Sequence, residues 1–173
     1  MSARILVAGV GNLFLGDDGF GPEVVRRLAA GPVPADVRVV DYGIRGLHLA
    51  YDLLKGYDAL VLVDALPFTG PFAGPSGELR LIEVRPQDTG EFGWGALDAH
   101  GMDLVAVLAS LNSLGGRLPR RTVVVGVAPA DVSEGIGLSP AVRDAVDATV
   151  ALVRELVEEL LAPAVTTTAG TVH

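Results

Sequence analysis

The stretch from Arg4 to Leu28 constrains the fold more than any other part of the chain. It begins with a short apolar run, Ile5–Val10, which is flanked by glycine and is typical of a buried parallel strand. Pro22 is compatible only with the first turn of a helix, and apolar residues then recur at helical spacing. The pattern predicts a strand, a glycine-rich turn and a helix, a junction where open α/β sheets bind ligands.

The glycines of this turn raise the possibility of a nucleotide site. The segment Gly9–Gly11 supplies two of the three glycines of the dinucleotide motif, and Asp41 ends the second predicted strand, where a ribose-binding acid would lie. The third glycine position is Phe14, however, and Asp17 and Asp18 would face the phosphates. Because phosphates need backbone N–H groups rather than carboxylates, the acidic pair favours a cation.

Composition excludes several classes of function. The chain has 173 residues, and Lys plus Arg is 13 against 21 for Asp plus Glu, so the formal net charge of −8 disfavours nucleic acid binding. There is no cysteine, which rules out disulfides and thiolate ligands. We expect one domain over residues 1–162 and a disordered tail over 163–173. No signal region and no long apolar span is evident, so we expect a cytoplasmic protein that does not enter membranes.

The remaining patterns alternate between strands and helices. Apolar runs predict strands over 37–40, 59–63 and 122–127, and an alternating run over 78–84 predicts an exposed, antiparallel edge strand. Helices are predicted over 47–54, after Gly101, and from Pro140 to about Leu161, where Ser139 is expected to cap the helix. The fold class is therefore α/β, a three-layer α/β/α sandwich around a mostly parallel twisted sheet of about five strands.

Three acids follow the first three predicted strands, and a histidine precedes a later helix. The acids are Asp18, Asp41 and Asp64, and the histidine is His100. Each could be a turn residue or a helix cap. Parallel strands nevertheless end at one edge of a sheet, so several of these side chains should meet there. Two carboxylates and one imidazole would leave open coordination positions and would suit Zn²⁺, Ni²⁺ or Co²⁺.

A set of short motifs, in order along the chain, resembles one known family. The motifs are Gly9-Val-Gly-Asn12, Gly16-Asp-Asp-Gly-Phe-Gly21, Asp41-Tyr-Gly43, Val63-Asp-Ala65, His100-Gly101 and Gly137-Leu-Ser-Pro140. Together they resemble the hydrogenase maturation endopeptidases over nearly the whole chain, from about Arg4 to Leu161. Each motif is weak alone, but the ordered set is specific.

The resemblance implies an α/β/α endopeptidase that removes a C-terminal extension from the precursor of a [NiFe]-hydrogenase large subunit after nickel insertion. It matches Asp18, Asp64 and His100 to the family's metal-contacting residues, and Asp41 to a further acid of the site. It also implies that nickel arrives on the substrate, bound to cysteine thiolates near the scissile bond, and that no organic cofactor is used. The hydrogenase precursor is the implied partner.

The residue types agree with metal-assisted hydrolysis, in which a metal activates water and stabilises the oxyanion. The chain has no cysteine nucleophile, no evident serine–histidine–acid set and no H-E-x-x-H motif. The alternative reading is a non-catalytic nickel- or nucleotide-binding protein on a Rossmann-like scaffold. The sequence makes no prediction about oligomeric state.

Overall fold

The structure is a computed structural model that describes residues 3–67, 73–84 and 102–163. Its elements are β1 (Ile5–Val10), α1 (Phe20–Ala30), β2 (Val37–Gly43), α2 (Gly46–Leu53), β3 (Ala59–Ala65), β4 (Leu79–Val84), α3 (Met102–Ser113), β5 (Arg121–Val127) and α4 (Pro140–Leu161). A single 3-10 turn, Gly16–Gly19, leads into α1. Within these ranges, no helix has the length and apolar character that crossing a membrane requires.

The strands form one sheet in the order β2-β1-β3-β5-β4. Strands β2, β1, β3 and β5 are parallel, and β4 is paired antiparallel with β5 at the edge. The predicted α/β class, the mostly parallel five-stranded sheet and its antiparallel edge strand are confirmed. The carboxyl ends of the four parallel strands consequently lie at one edge of the sheet, called the carboxyl edge below.

Strand alternation divides the apolar residues between two faces. Ile5 and Val7 belong to a cluster covered by α1 and α4, whereas Leu6 and Ala8 belong to a cluster covered by α2 and α3. The same alternation runs through β3, because successive side chains of a strand point to opposite faces. Two helical layers therefore enclose the sheet, as the sequence predicts.

Strand β2 extends further than its apolar run predicts. The register shifts between Gly9 and Val10, so that Val10 lies opposite Gly43. Tyr42 is buried, and its hydroxyl group donates a hydrogen bond to the Asp52 carboxylate on α2 at 2.6 Å. Asp41 therefore lies inside β2 rather than after it, because long-range pairing and the burial of Tyr42 extend the strand beyond Val40.

The start of α4 is at the predicted position but is capped differently. Ser139 has extended backbone angles before Pro140, as an N-cap residue should. Its hydroxyl group makes no capping bond to its own helix and instead donates to the Asp17 carboxylate at 2.8 Å. The prediction that Ser139 caps α4 with its side chain is wrong, because a distant carboxylate competes for the hydroxyl group.

Candidate active site

The carboxyl edge brings the ends of β2, β1 and β3 side by side. The register places Gly9 of β1 between Asp41 of β2 and Val63 of β3. Neighbouring strands are about 4.8 Å apart, so these strand ends lie close together. Asp64 follows Val63 and pairs in register with Gly126 of β5. The predicted convergence of strand ends at one edge is thus present.

Asp64 is a deeply buried acid at this edge. Its residue exposure is 2%, and strand alternation places it on the same sheet face as Leu60 and Leu62, under α2 and α3. Burying a carboxylate among apolar side chains is costly unless hydrogen bonds or a positive charge compensate. A buried carboxyl group at a strand end, beside the edge where α/β sheets bind ligands, is a candidate for a functional role.

Asp18 is held close to this edge by the turn that follows β1. Its carboxylate accepts a hydrogen bond from the Asn12 backbone N–H at 2.7 Å, and the side chain is half-buried. Gly11, with a φ of 136°, passes so close to the Asp18 carbonyl that a Cβ atom would lie 1.9 Å from its oxygen. The 3-10 turn that contains Asp18 also contacts β3. The glycine allows the chain to fold back and position the carboxylate.

Asp17 has a structural task that the sequence only partly indicated. It is buried and accepts hydrogen bonds from the backbone N–H groups of Ala130, Asp131 and Ser139 at 2.7–2.9 Å, and from the Ser139 hydroxyl group. Burial raises the pKa of Asp17, but these hydrogen bonds together outweigh burial and hold the pKa below its ordinary value. Asp17 therefore joins the turn after β1 to the loop before α4.

Asp41 is exposed and forms a local turn. Its carboxylate accepts the Gly43 backbone N–H at 2.8 Å, and Gly43 has a φ of 54°, as the end of such a turn favours. Strand alternation places Asp41 on the opposite face of the sheet from Asp64, since Val40 and Tyr42 pack in the cluster under α2 and α3. Asp41 thus shares the edge with Asp64 but lies on the other face.

His100 lies outside the described residues. Helix α3 begins two residues later, at Met102, and packs alongside α2. Gly46 at the start of α2 approaches Val107, whereas Leu54 and Leu111 meet around Gly116. The two helices therefore run in the same direction, and α3 begins on the side of the carboxyl edge. Among the side chains that the structure describes, no three of His, Asp or Glu are placed to hold a metal ion.

The glycines of the first turn have a packing role that needs no nucleotide. A Cβ atom on Gly21 would lie 2.3 Å from the carbonyl oxygen of Val63 and 2.4 Å from that of Val10. One on Gly9 would lie 2.6 Å from the Gly21 carbonyl oxygen. These glycines let α1 pack directly on the backbones of β1 and β3, so the partial dinucleotide motif is explained by close packing.

The fold and the edge define a three-layer α/β/α protein with acids at the carboxyl edge of its parallel strands. A family model described as hydrogenase maturation protease matches residues 22–156. The hydrogenase expression/formation protein HupD of Rhodobacter capsulatus is 34% identical over 96% of this chain and 76% of its own. The hydrogenase 2 maturation protease of Escherichia coli is 31% identical over 92% of this chain and 89% of its own.

Two solved structures that this chain resembles belong to proteins with similar descriptions. The hydrogenase maturating endopeptidase HybD of E. coli superimposes with a TM-score of 0.72 and 28% identity over 90% of this chain and 93% of that one. A hydrogenase 2 maturation peptidase from a Thaumarchaeota archaeon superimposes with a TM-score of 0.66 and 32% identity over 89% of this chain and 97% of that one. The chain belongs to the hydrogenase maturation protease family, and its activity is that of a peptidase. Of the two readings that the sequence left open, the peptidase is supported.

Proposed function

We propose that this peptidase removes the C-terminal extension of a [NiFe]-hydrogenase large-subunit precursor after nickel has been inserted. Family membership supports the reaction class and the hydrogenase partner. The observation that carries the finer proposal is the buried carboxylate of Asp64 at the carboxyl edge, near the turn that positions Asp18. A cation beside a buried carboxylate offsets the cost of burying its charge.

The residues present fit a divalent cation of borderline softness. Asp18 and Asp64 offer carboxylate oxygens, and His100 would add an imidazole nitrogen, the donor types that Ni²⁺ and Zn²⁺ accept. His100 precedes the start of α3 by two residues, a stretch that spans at most about 7 Å. We therefore assign Asp18, Asp64 and His100 as the nickel-binding residues, and Asp41 as a positioning residue that shapes the edge through its turn with Gly43.

Nickel is proposed to arrive as part of the substrate. The chain lacks cysteine, so it has no thiolates with which to build a closed and tight nickel site. The two carboxylates and the imidazole can instead complete the coordination of a nickel ion that the precursor already carries. When bound there, nickel would supply a Lewis acid for hydrolysis of the peptide bond. Cleavage would then depend on nickel insertion, because an unloaded precursor offers these ligands no ion to bind.

The direct experiment compares nickel-loaded with nickel-free precursor. The protein is first treated with a chelator and then incubated with each precursor, and the loss of mass from the precursor is measured. We expect the loaded precursor to be cut without added metal and the unloaded precursor to remain intact. Efficient cleavage of unloaded precursor by the chelator-treated protein would overturn nickel recognition but not the peptidase activity.

The role of Asp64 is tested by Asp64→Asn, which keeps the shape of the side chain and removes its charge. We expect processing to fall by at least about 100-fold, the usual effect of removing one electrostatic group from an active site. Asp144→Asn changes an exposed acid on α4 and serves as the matched control, with unchanged processing. Circular dichroism should be the same for both variants. Retained processing by a folded Asp64→Asn protein would contradict the assignment.

A further inference from the structure

Two loops at the carboxyl edge are joined into a single unit. One is the turn over residues 12–17 after β1, and the other covers residues 130–139 between β5 and α4. The Gly16 backbone N–H donates to the Gly135 carbonyl at 2.9 Å, and the Gly135 N–H donates to the Phe14 carbonyl at 2.8 Å. The four hydrogen bonds to Asp17 fasten the same two loops. Side chains on this unit are consequently presented from a backbone fixed by hydrogen bonds.

This unit exposes large apolar side chains. Ile136 is 81% exposed, Phe14 is 64% exposed and Leu13 is 50% exposed. We call these three residues the Phe14–Ile136 surface. Single exposed apolar residues are ordinary, but several on two loops bonded together resemble the clusters that mark interaction sites. Because hydrogen bonds already fix the backbone of these loops, little conformational entropy of the backbone would be lost when a partner covers these side chains.

The Phe14–Ile136 surface is continuous with the proposed nickel site. Leu13 and Phe14 belong to the same turn as Asp18, whose carboxylate binds the Asn12 N–H immediately before Leu13. Asp17, which fastens the two loops, precedes Asp18 directly. A protein whose scissile bond lies at Asp18 would therefore extend over the neighbouring apolar side chains. Because the Phe14–Ile136 surface adjoins Asp18, the protein that binds there is inferred to be the substrate and not an unrelated protein.

Charge in an adjacent cavity indicates one further property of the occupant. A cavity of about 330 Å³ is lined by Leu13, Ile136, Glu23, Arg27 and Arg143, among others. Glu23 is paired with Arg27, but the guanidinium group of Arg143 makes no ion pair or hydrogen bond with the described residues. The lining of this cavity therefore has two cationic side chains and one acidic one, an excess of one positive charge in a chain with a net charge of −8. A carboxylate next to an apolar segment would complement it.

We propose that the Phe14–Ile136 surface docks the large-subunit precursor through an apolar segment with a neighbouring acidic group, which Arg143 binds. This inference rests on the proposed function. It identifies the surface that binds the part of the substrate outside the scissile bond. The contacts involve parts of the substrate that do not react, so they are made equally in the ground state and the transition state. Their loss should therefore raise KM and leave kcat nearly unchanged.

The apolar part is tested with Phe14→Ser and Ile136→Ser in processing assays on nickel-loaded precursor. We expect KM to rise about tenfold for each, the effect of losing one strong interface contact, with kcat within about twofold of the unaltered protein. Leu114→Ser is the matched control, because Leu114 is an exposed apolar residue after α3, on the opposite side from the carboxyl edge. Its KM should not change. Thermal unfolding checks that all three variants are folded.

The charged part is tested with Arg143→Gln and Arg143→Lys. We expect Arg143→Gln to raise KM severalfold at low salt, with the difference shrinking as salt screens the attraction. Arg143→Lys keeps the charge and should restore much of the affinity. A KM for Arg143→Gln that equals that of the unaltered protein at low salt would overturn the carboxylate contact.

The outcomes separate the two proposals. If the unaltered protein does not cut loaded precursor, the proposed function is overturned. If the unaltered protein cuts it and the Phe14→Ser and Ile136→Ser variants have unchanged KM, only the docking surface is overturned. A raised KM for both variants, weaker binding of precursor to Ile136→Ser by calorimetry and an unaffected Leu114→Ser protein would support the docking surface.

Discussion

Asp17 and Asp18 are adjacent and chemically identical, and their surroundings give them different tasks. Asp17 is buried and accepts hydrogen bonds from a loop more than a hundred residues away, whereas Asp18 is half-buried and accepts one from Asn12. Neither carboxylate caps the helix that follows it, because α1 has no side-chain capping bond at its N-cap residue, Gly19.

The first prediction concerns Asp17→Asn. An amide group would place donor hydrogens against backbone N–H groups that now donate to Asp17, so we expect the free energy of unfolding to fall by about 2–4 kcal/mol at pH 7. Urea denaturation measures this difference. Asp144→Asn, an exposed change, should stay within about 0.5 kcal/mol. A loss below 1 kcal/mol for Asp17→Asn would contradict the role of Asp17 in joining the two loops.

The same contact predicts how stability depends on pH. Because the folded pKa of Asp17 lies below its unfolded value of about 3.9, its contribution is complete above that value and is lost as pH falls through the folded pKa. The difference in stability between the unaltered protein and Asp17→Asn should therefore shrink as pH is lowered from about 5 towards 3. Urea denaturation over this range measures it. A difference that grows with acidification would mean that Asp17 is not ionised when folded.

At the scale of elements, α1 is fixed by backbone contacts with the sheet. Gly21 in its first turn lies against the carbonyl oxygens of Val10 and Val63, so helix and strands approach without side chains between them. This packing sets where the turn after β1 emerges, and therefore where Asp18 lies at the carboxyl edge. A helix displaced outward would carry the turn away from β3.

Gly21→Ala tests this contact. Its Cβ atom would lie 2.3–2.4 Å from two backbone carbonyl oxygens, which cannot rotate away, so we expect the free energy of unfolding to fall by about 3 kcal/mol, the upper end of the usual cost of overpacking. Gly19→Ala is the control from the same region, because its nearest neighbour is a flexible side-chain atom of Leu13 at 3.3 Å. That variant should lose no more than about 1 kcal/mol. Equal stability of the two variants in thermal unfolding would refute the packing argument.

For the whole molecule, stability comes from two apolar clusters on the two faces of one sheet. A chain without cysteine has no thiolate site of the kind that holds small metal-dependent folds together. We therefore expect dialysis against a chelator to change Tm by less than about 2 °C, measured by calorimetry at one pH and protein concentration. A fall of many degrees that added Ni²⁺ reverses would instead indicate a structural metal.

Much of the architecture could be predicted because its signals are local. The apolar runs of β1, β3 and β5 identify buried strands, and the alternation in β4 identifies the edge strand. Ordered motifs were sufficient to indicate the protease family, and the comparisons confirm it. Other expectations stay predictions: the roles of Asp18, Asp41, Asp64 and His100, the removal of a C-terminal extension after nickel insertion, the tail over 163–173, and the cytoplasmic location.

Other features depend on residues that are far apart in the sequence. The extension of β2 past Asp41 follows from a register shift against β1 and from the burial of Tyr42, and neither is encoded in the local pattern. Likewise, the Ser139 hydroxyl group donates a hydrogen bond to the carboxylate of Asp17, which is 122 residues away in the sequence.

The sequence by itself determined the strands, the helices and the acids at the strand ends, because backbone geometry converts local patterns of apolar and polar residues into elements. Only the tertiary structure decided which acids are buried, as Asp17 and Asp64 are, which one joins two loops, as Asp17 does, and which apolar side chains stay exposed, as Ile136 does. Burial and hydrogen-bond partners are properties of what packs against a residue, and the long-range contacts that set them arise only when the sheet and its connecting loops come together.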